Sequence, residues 1–371
     1  MCEETSMDVA SGNKYFEDPN VSGVVVKNCN ISGFRFGVYL NRRVWVKSKA
    51  TGKCLSLTEV SSLSSLKGSA ADFDAYLGAR SRHYGFNPSS VTLRNIHITD
   101  SLEVGVFVNE YARDWLLEGS SIQRNTVGVY LERESQGAKI YTSTIKENKI
   151  LGIAVDSSAY NTIDRNIIDH NGYAGISLYK NCGEANGVPR YQHSDHNVIQ
   201  RNVIKNHSNG FGLQTLTTEY YGGLSSKRYG VGVWIASRQG MSSAPILAAY
   251  PNATRACVDD STATSRGDYY PDYAADNIVR WNNMSDNMLA NVIVEDDRNV
   301  VEENNFSTTG NVSIQADVII GSEFRQIVAN VVRGNKVLRN VSTSQTLMGN
   351  FVTTFGVSEQ NNQFAGNIGS Q

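Results

Sequence analysis

A solenoid of β-strands, all-β and wound as a single-stranded right-handed parallel β-helix, follows from three features of this 371-residue chain. A phrase of glycine, apolar, any residue, apolar recurs as GVFV at Gly105, GVYL at Gly128, GIAV at Gly152 and GISL at Gly175, in steps of 23, 24 and 23 residues. An Asn-led phrase lies between later copies: NTIDRNII from Asn161, NVIQRNVI from Asn197, NIVRWNNM from Asn277 and NVVEENNF from Asn299. Both phrases alternate apolar with polar residues and favour Val and Ile, which is the pattern of half-buried strands. A unit of this length holds two or three short strands and cannot bury its apolar face alone, so each must stack on the next. Leucine-rich repeats share the period but need fixed Leu spacings, and these are absent.

Taken in order, the first copy of the glycine phrase is GVYL at Gly37, followed by a departure over about 44–87. Four regular coils carry the phrases at Gly105, Gly128, Gly152 and Gly175. Insertions over about 183–196 and 207–229 precede GVWI at Gly232, and a third over about 240–276 precedes NIVRWNNM. A looser copy, NVIV at Asn291, follows. The repeats run from about 24 to 367, and the solenoid accounts for residues 1–371 as one domain. Asn166, Asn202, Asn282 and Asn304 occupy one slot of the second phrase and are expected to stack as an amide ladder.

Composition narrows the function. A net charge of −2 with no polybasic run argues against a nucleic-acid partner, and no stretch is long and apolar enough for a membrane helix. The N-terminal MCEETSMDVASGNKYFEDP has no apolar core, so the expected location is extracellular or periplasmic if a signal peptide has been removed and cytoplasmic otherwise. Five scattered cysteines, Cys2, Cys29, Cys54, Cys182 and Cys257, spell neither a disulfide framework nor a zinc site, although Cys182 and Cys257 both lie near insertions and could pair.

Insertions on a rigid scaffold are where function concentrates. Those after residues 37, 175 and 232 leave the same strand at its C-terminal end, so they wall a groove whose floor is that sheet. They are rich in tyrosine: Tyr191, Tyr220, Tyr221, Tyr229, Tyr250, Tyr269, Tyr270 and Tyr273. Such rings suit sugars or simply anchor long loops. In each glycine phrase Val129 and Leu131, Ile153 and Val155, and Ile176 and Leu178 point to the core. The alternate residues, expected to face water, form a column of Tyr39, Phe107, Tyr130, Ala154, Ser177 and Trp234 and another of Asn41, Asn109, Glu132, Asp156, Tyr179 and Ala236.

Glu132 and Asp156 therefore sit in adjacent coils, about 4.8 Å apart along the axis. Exposed carboxylates so close repel by a few kcal/mol at an effective dielectric near ~20. A shared proton, a calcium-type cation held by Glu132, Glu134 and Asp156, or the basic Arg133 and Lys180 would relieve them. A solvated charge ladder is the plain alternative. Lys180 and Arg238 face the same groove, with Tyr179, Asn181 and Glu184 nearby, and both are expected to project from the stack. Abstraction of a proton beside a uronate carboxylate needs a neutralising charge, a base and an acid, and these residue types are all present. Lys180, Arg238, Glu132 and Asp156 are the catalytic candidates; Arg133, Tyr179, Asn181, Tyr130, Trp234, Glu184, Arg190 and His193 are the substrate-contact candidates. His193 and His196 have a spacing that can bind metal, but no third ligand stands beside them in the sequence.

These coils, the Asn slot and the walled floor together resemble the pectate-lyase-like superfamily of parallel β-helix repeat proteins, over residues from Val24 to about Asn367. The resemblance implies a polysaccharide or oligosaccharide partner, with calcium as the one cofactor to consider and a closed homo-oligomer as a common state. Its members include polysaccharide lyases, uronate epimerases, glycoside hydrolases and tailspike depolymerases. Departures are plain: the Asp-Pro-His-Asp motif of mannuronan epimerases is absent, with HSDH at His193 only a faint echo, and the paired-Asp motif of polygalacturonases is not evident. An acidic-polysaccharide lyase or epimerase is the leading expectation. A glycoside hydrolase or glycosyl-transferring enzyme using a carboxylate pair, or a non-catalytic polysaccharide-binding or structural β-helix, are the alternatives.

Overall fold

The computed structural model describes residues 22–40, 89–109, 111–132, 134–180, 192–208, 230–237, 274–309, 314–322, 325–326 and 331–369, with short strands also at 5–8, 13–16, 45–47 and 54–56. The chain winds through three parallel sheets of 9, 10 and 9 strands, each gaining one strand per coil in sequence order. The first sheet holds the glycine phrases, including Val104–Val108, Val127–Leu131, Leu151–Asp156, Ala174–Tyr179, Val231–Ile235 and Ala290–Val294. The second holds Thr162–Asp164, Val198–Gln200, Ile278–Arg280 and their equivalents, and the third holds Ile167–Asp169, Val203–Lys205 and Asn283–Ser285 among others. The parallel β-helix expected from the period is what forms, and Val129, Leu131, Ile153, Val155, Ile176 and Leu178 fill its core as anticipated.

Each of the three corners is built the same way. A residue with positive φ turns the chain, and the next residue sends a side chain back along the axis. Arg165, Arg201, Trp281, Glu303 and Arg339, at φ of 52–57°, precede Asn166, Asn202, Asn282, Asn304 and Asn340. A left-handed residue with a side chain costs about 1 kcal/mol or more, so something must hold these bends. The amides do: Asn202 Oδ1 accepts both the backbone N–H and the Nδ2–H of Asn166, at 2.9 and 3.0 Å, and the pattern repeats coil after coil to Asn367. This is the anticipated ladder. A second runs through Asn161, Asn197, Asn277, Asn299, Asn335 and Asn362.

A third ladder, Asn125, Asn148 and Asn171, explains the glycine of the repeat. A Cβ on Gly152 would meet Gly175 O at 2.5 Å and Asn171 Nδ2 at 2.9 Å, so the backbone of this strand must stay bare. Beyond Asn171 the slot is filled by His207, whose backbone N–H donates to Asn287 Oδ1 at 3.3 Å. His207 thus belongs to the coil rather than to the 207–229 insertion. Residues 274–276 likewise belong to a coil and not to the 240–276 insertion: Ala274 and Ala275 are buried, and Asp276 takes the turning position ahead of Asn277. Where the glycine phrase loosens, Asn291 stands in the glycine column; it accepts from Asn287 at 2.7 Å and donates to the buried Asp317 at 2.6 Å. Cys29 is a free, partly buried thiol. Cys182, Cys257, the cited tyrosines of the insertions and most of the insertions themselves lie outside the described residues. Among the described residues no helix is long and apolar enough to cross a membrane.

Candidate functional site

The C-terminal edge of the first sheet brings the expected column into register. Tyr130 pairs with Ala154, Leu131 with Val155, and Asp156 with Tyr179, while the Glu132 N–H bonds Val108 O and the Ala236 N–H bonds Leu178 O. Asn109, Glu132, Asp156, Tyr179 and Ala236 therefore follow one another up successive coils. Their environment differs from expectation. Glu132 is 8% exposed, Asp156 0% and Lys180 2%, so they form a buried polar row and not an open charged floor. Ala154, Ser177, Trp234 and Ala236, also expected to face water, are buried. The reason is a second apolar cluster on the outer side of this sheet, in which Ala154, Ala174, Trp234, Ala236 and Ile293 pack with Tyr173. Trp234, stacked on Tyr173 at 6.3 Å, is part of that cluster and not an open sugar platform.

Asp156 is held by two hydroxyls. Tyr130 donates to its Oδ2 at 2.8 Å and Ser157 to its Oδ1 at 3.2 Å. The Tyr130 ring belongs to a stack with Phe107, Tyr39 and Phe36, at centroid spacings of 5.1–5.3 Å. Phe107 covers one face of the Tyr130 ring, and the hydroxyl is directed onto Asp156. Tyr179 and His193 are partly buried at the same edge.

The chain returning at 192–194 is tied into this edge. The Gln192 N–H donates to Glu134 Oε1 at 2.8 Å, and Ser194 Oγ, which accepts the Ser157 N–H at 2.9 Å, lies 2.9 and 2.5 Å from Val155 O and Tyr179 O, which share its single proton. Glu134 is thereby a tether. Residues 192–194 close the turn in place of forming a wall. Among the described residues no group of three His, Cys, Asp or Glu is placed to hold a metal ion, so Glu132, Glu134 and Asp156 do not make the expected cation site. His196 takes a corner position, half exposed, with its ring on Tyr160 at 5.0 Å and Nδ1 at 3.3 Å from Asp195. Arg133, Asn181, Glu184, Arg190 and Arg238 lie outside the described residues.

Sequence reasoning missed the continuation of the row. Glu295 extends the Glu132 column, its N–H on Ile235 O and its Oε2 accepting the Ser237 N–H at 3.3 Å. Asp296 and Asp297 follow, and both meet the buried Arg325: Nη1 at 3.0 Å from Asp296 Oδ1, and Nη2 at 3.0 Å from Asp297 Oδ2. Burial lifts the Asp296 carboxyl to about 7, against the pull of Arg325 and of the Ala274 N–H. The signal was available: EDD follows NVIV at the place where ERE follows GVYL and DSS follows GIAV.

A coiled stack of parallel strands with a polar row along one edge defines a parallel β-helix protein. The family model described as right handed beta helix region matches residues 19–188 and, in a second placement, 85–240, and the chain belongs to that family. Among curated proteins none matches it in sequence. Solved structures with a similar fold include an A-module of mannuronan C-5 epimerase from Azotobacter vinelandii, with 12% identity, 77% of this chain and 60% of that one covered, and a TM-score of 0.48. A DFA-IIIase from Arthrobacter chlorophenolicus in complex with DFA-III has 11% identity, 89% and 57% coverage, and a TM-score of 0.39. A tailspike protein of E. coli bacteriophage HK620 in complex with pentasaccharide has 10% identity, 77% and 44% coverage, and a TM-score of 0.46. This chain spans less than two thirds of each.

Proposed function

We propose that the chain acts on an acidic polysaccharide at the C-terminal edge of the first sheet, by β-elimination or epimerisation at a uronate. The observation that carries the reading is the Tyr130 hydroxyl, partly buried and donating to the fully buried Asp156 at 2.8 Å. A phenol so placed takes a proton from carbon five of the uronate while its own proton passes to Asp156. In elimination the bond from carbon four to oxygen breaks and Lys180, one residue beyond the Tyr179 that pairs with Asp156, protonates the leaving oxygen. In epimerisation Lys180 returns a proton to carbon five from the opposite face. Tyr179 and His193 complete the contacts with sugar.

A second reading has its own support. Glu132 and Asp156 stand in adjacent coils, about 4.8 Å apart along the axis, which is near the roughly 5 Å separation of a retaining glycosidase pair. Products separate the two. Incubation with a panel of uronic-acid polymers, with and without calcium, should yield an ultraviolet-absorbing unsaturated sugar for elimination, or exchange of the carbon-five proton with solvent for epimerisation. New reducing ends with neither signal would establish hydrolysis instead. Tyr130→Phe should lower turnover by about 100-fold or more, the usual worth of a positioned acid or base, and lower stability by about 1–3 kcal/mol, since the buried Asp156 loses one donor but keeps Ser157. Retention of full activity in that variant would remove the Tyr130–Asp156 pair from the mechanism.

A further inference from the structure

One sheet away from this edge, at the corner between the second and third sheets, Trp281 is 42% exposed and holds a left-handed backbone with φ of 55°. Its neighbours in that corner column are Arg201 one coil before and Glu303 one coil after, both of which reach water on polar side chains. A bulky ring is the least favourable of these choices for a left-handed turn, where Gly or Asn would relieve the strain. The ring is nevertheless fixed in place. Its indole N–H donates to Glu303 Oε2 at 2.6 Å, and Arg339 in turn holds Glu303 at 2.9 Å. The Arg280 guanidinium lies over the ring at 4.2 Å from its centroid.

The arginines around it differ in what their guanidinium groups bond. Arg201 is bound at 2.8 and 2.9 Å to the two oxygens of Asp164. Glu302, in register beside Arg280, is bound by Arg339 at 3.1 Å. Arg280 bonds only a neutral partner among the described residues, Gln200 Oε1, through Nε at 3.0 Å. Among the described residues Arg280 is thus an arginine of this row whose guanidinium hydrogen-bonds no carboxylate, acting on Glu303 only through space while it lies over an exposed indole. An apolar surface beside a rigid fork of N–H donors matches a sugar ring carrying a carboxylate, with the fork binding the carboxylate and the indole edge covering ring carbons.

We propose that Trp281 and Arg280 form a second binding site, for a carboxylated saccharide, separate from the edge of the first sheet. The choice of ligand rests on the acidic-polysaccharide reading above; the site itself does not. The test uses the full chain and a size-defined oligogalacturonate, with its methyl-esterified counterpart as the neutral control. Binding is followed by calorimetry and by the part of the tryptophan emission that Trp281→Gly removes. Trp281→Gly is a tolerated probe because glycine adopts this left-handed backbone without strain, which offsets part of the loss of the indole's contacts, so its melting temperature should fall only slightly. Arg280→Gln and Trp281→Gly should each weaken binding of the acidic oligomer about tenfold, while Asp156→Asn leaves this component unchanged. Loss of turnover on every polymer with that binding intact would sink the catalytic reading and leave the second site standing. Equal binding of both oligomers, or affinities unchanged in both variants, would overturn the second site.

Discussion

At the level of single residues, burial decides roles that side-chain chemistry alone leaves open. Lys180 reads in the sequence as a projecting cation, but at 2% exposure it is packed like a core residue. Truncation should then act on both function and fold: Lys180→Ala should lose turnover and also about 2–5 kcal/mol of stability, the range for emptying a large buried site. Lys180→Met keeps most of the volume and should lose turnover with a smaller fall in denaturant midpoint. His207 offers a second test. Burial lowers its imidazole from 6.5 to about 3, so between those values the folded chain binds fewer protons than the unfolded one. Its contribution is intact above pH 6.5 and is lost as pH falls through the window, by up to about 1.4 kcal/mol per pH unit. His207→Asn should restore the amide ladder between Asn171 and Asn287 and flatten that acid limb, as read from urea midpoints between pH 4 and 7. An unaltered limb would assign the acid sensitivity to another group.

At the level of elements, the corner is the unit: a left-handed residue followed by an asparagine. Asn202 shows what the amide does, accepting twice from Asn166 and donating to Ile163 O at 2.9 Å and to Asn282 Oδ1 at 3.0 Å. Asn202→Ala leaves buried donors and an acceptor unmet and should cost at least about 2 kcal/mol in equilibrium unfolding. The Asn166 slot was legible because Asn recurs there at fixed offset from Val and Ile. The matching slot at Asn125, Asn148 and Asn171 was not, because its place in the sequence is interrupted by His207 and its partner signal, the bare glycine of the strand, reads equally as a turn residue. The same ambiguity hid Glu295, Asp296 and Asp297: once asparagine replaces glycine at Asn291 the phrase loses its marker, although the strand register continues.

At the level of the whole molecule, a solenoid is held by contacts between neighbouring coils, so its ends have half the support of its middle. Val24, Val25 and Phe34 in the first coil and Leu347 and Ile368 in the last are exposed, while the strands between Val129 and Val294 carry a fully buried core. Hydrogen exchange should therefore be fastest for amides of residues 22–40 and 341–369 and slowest for the central coils. Uniform protection along the chain would show that the stack opens as one unit. Sequence by itself determined the winding, the core columns and the register that sets Glu132 beside Asp156, because parallel coils of constant length align equivalent positions whatever their side chains. Only the tertiary structure decided that this row is buried, that Tyr130 turns its hydroxyl onto Asp156, and that Arg325 is drawn in against Asp296 and Asp297. Those outcomes depend on what packs over the outer face of a sheet, and the alternation of a strand reports which side a residue takes without reporting what covers that side.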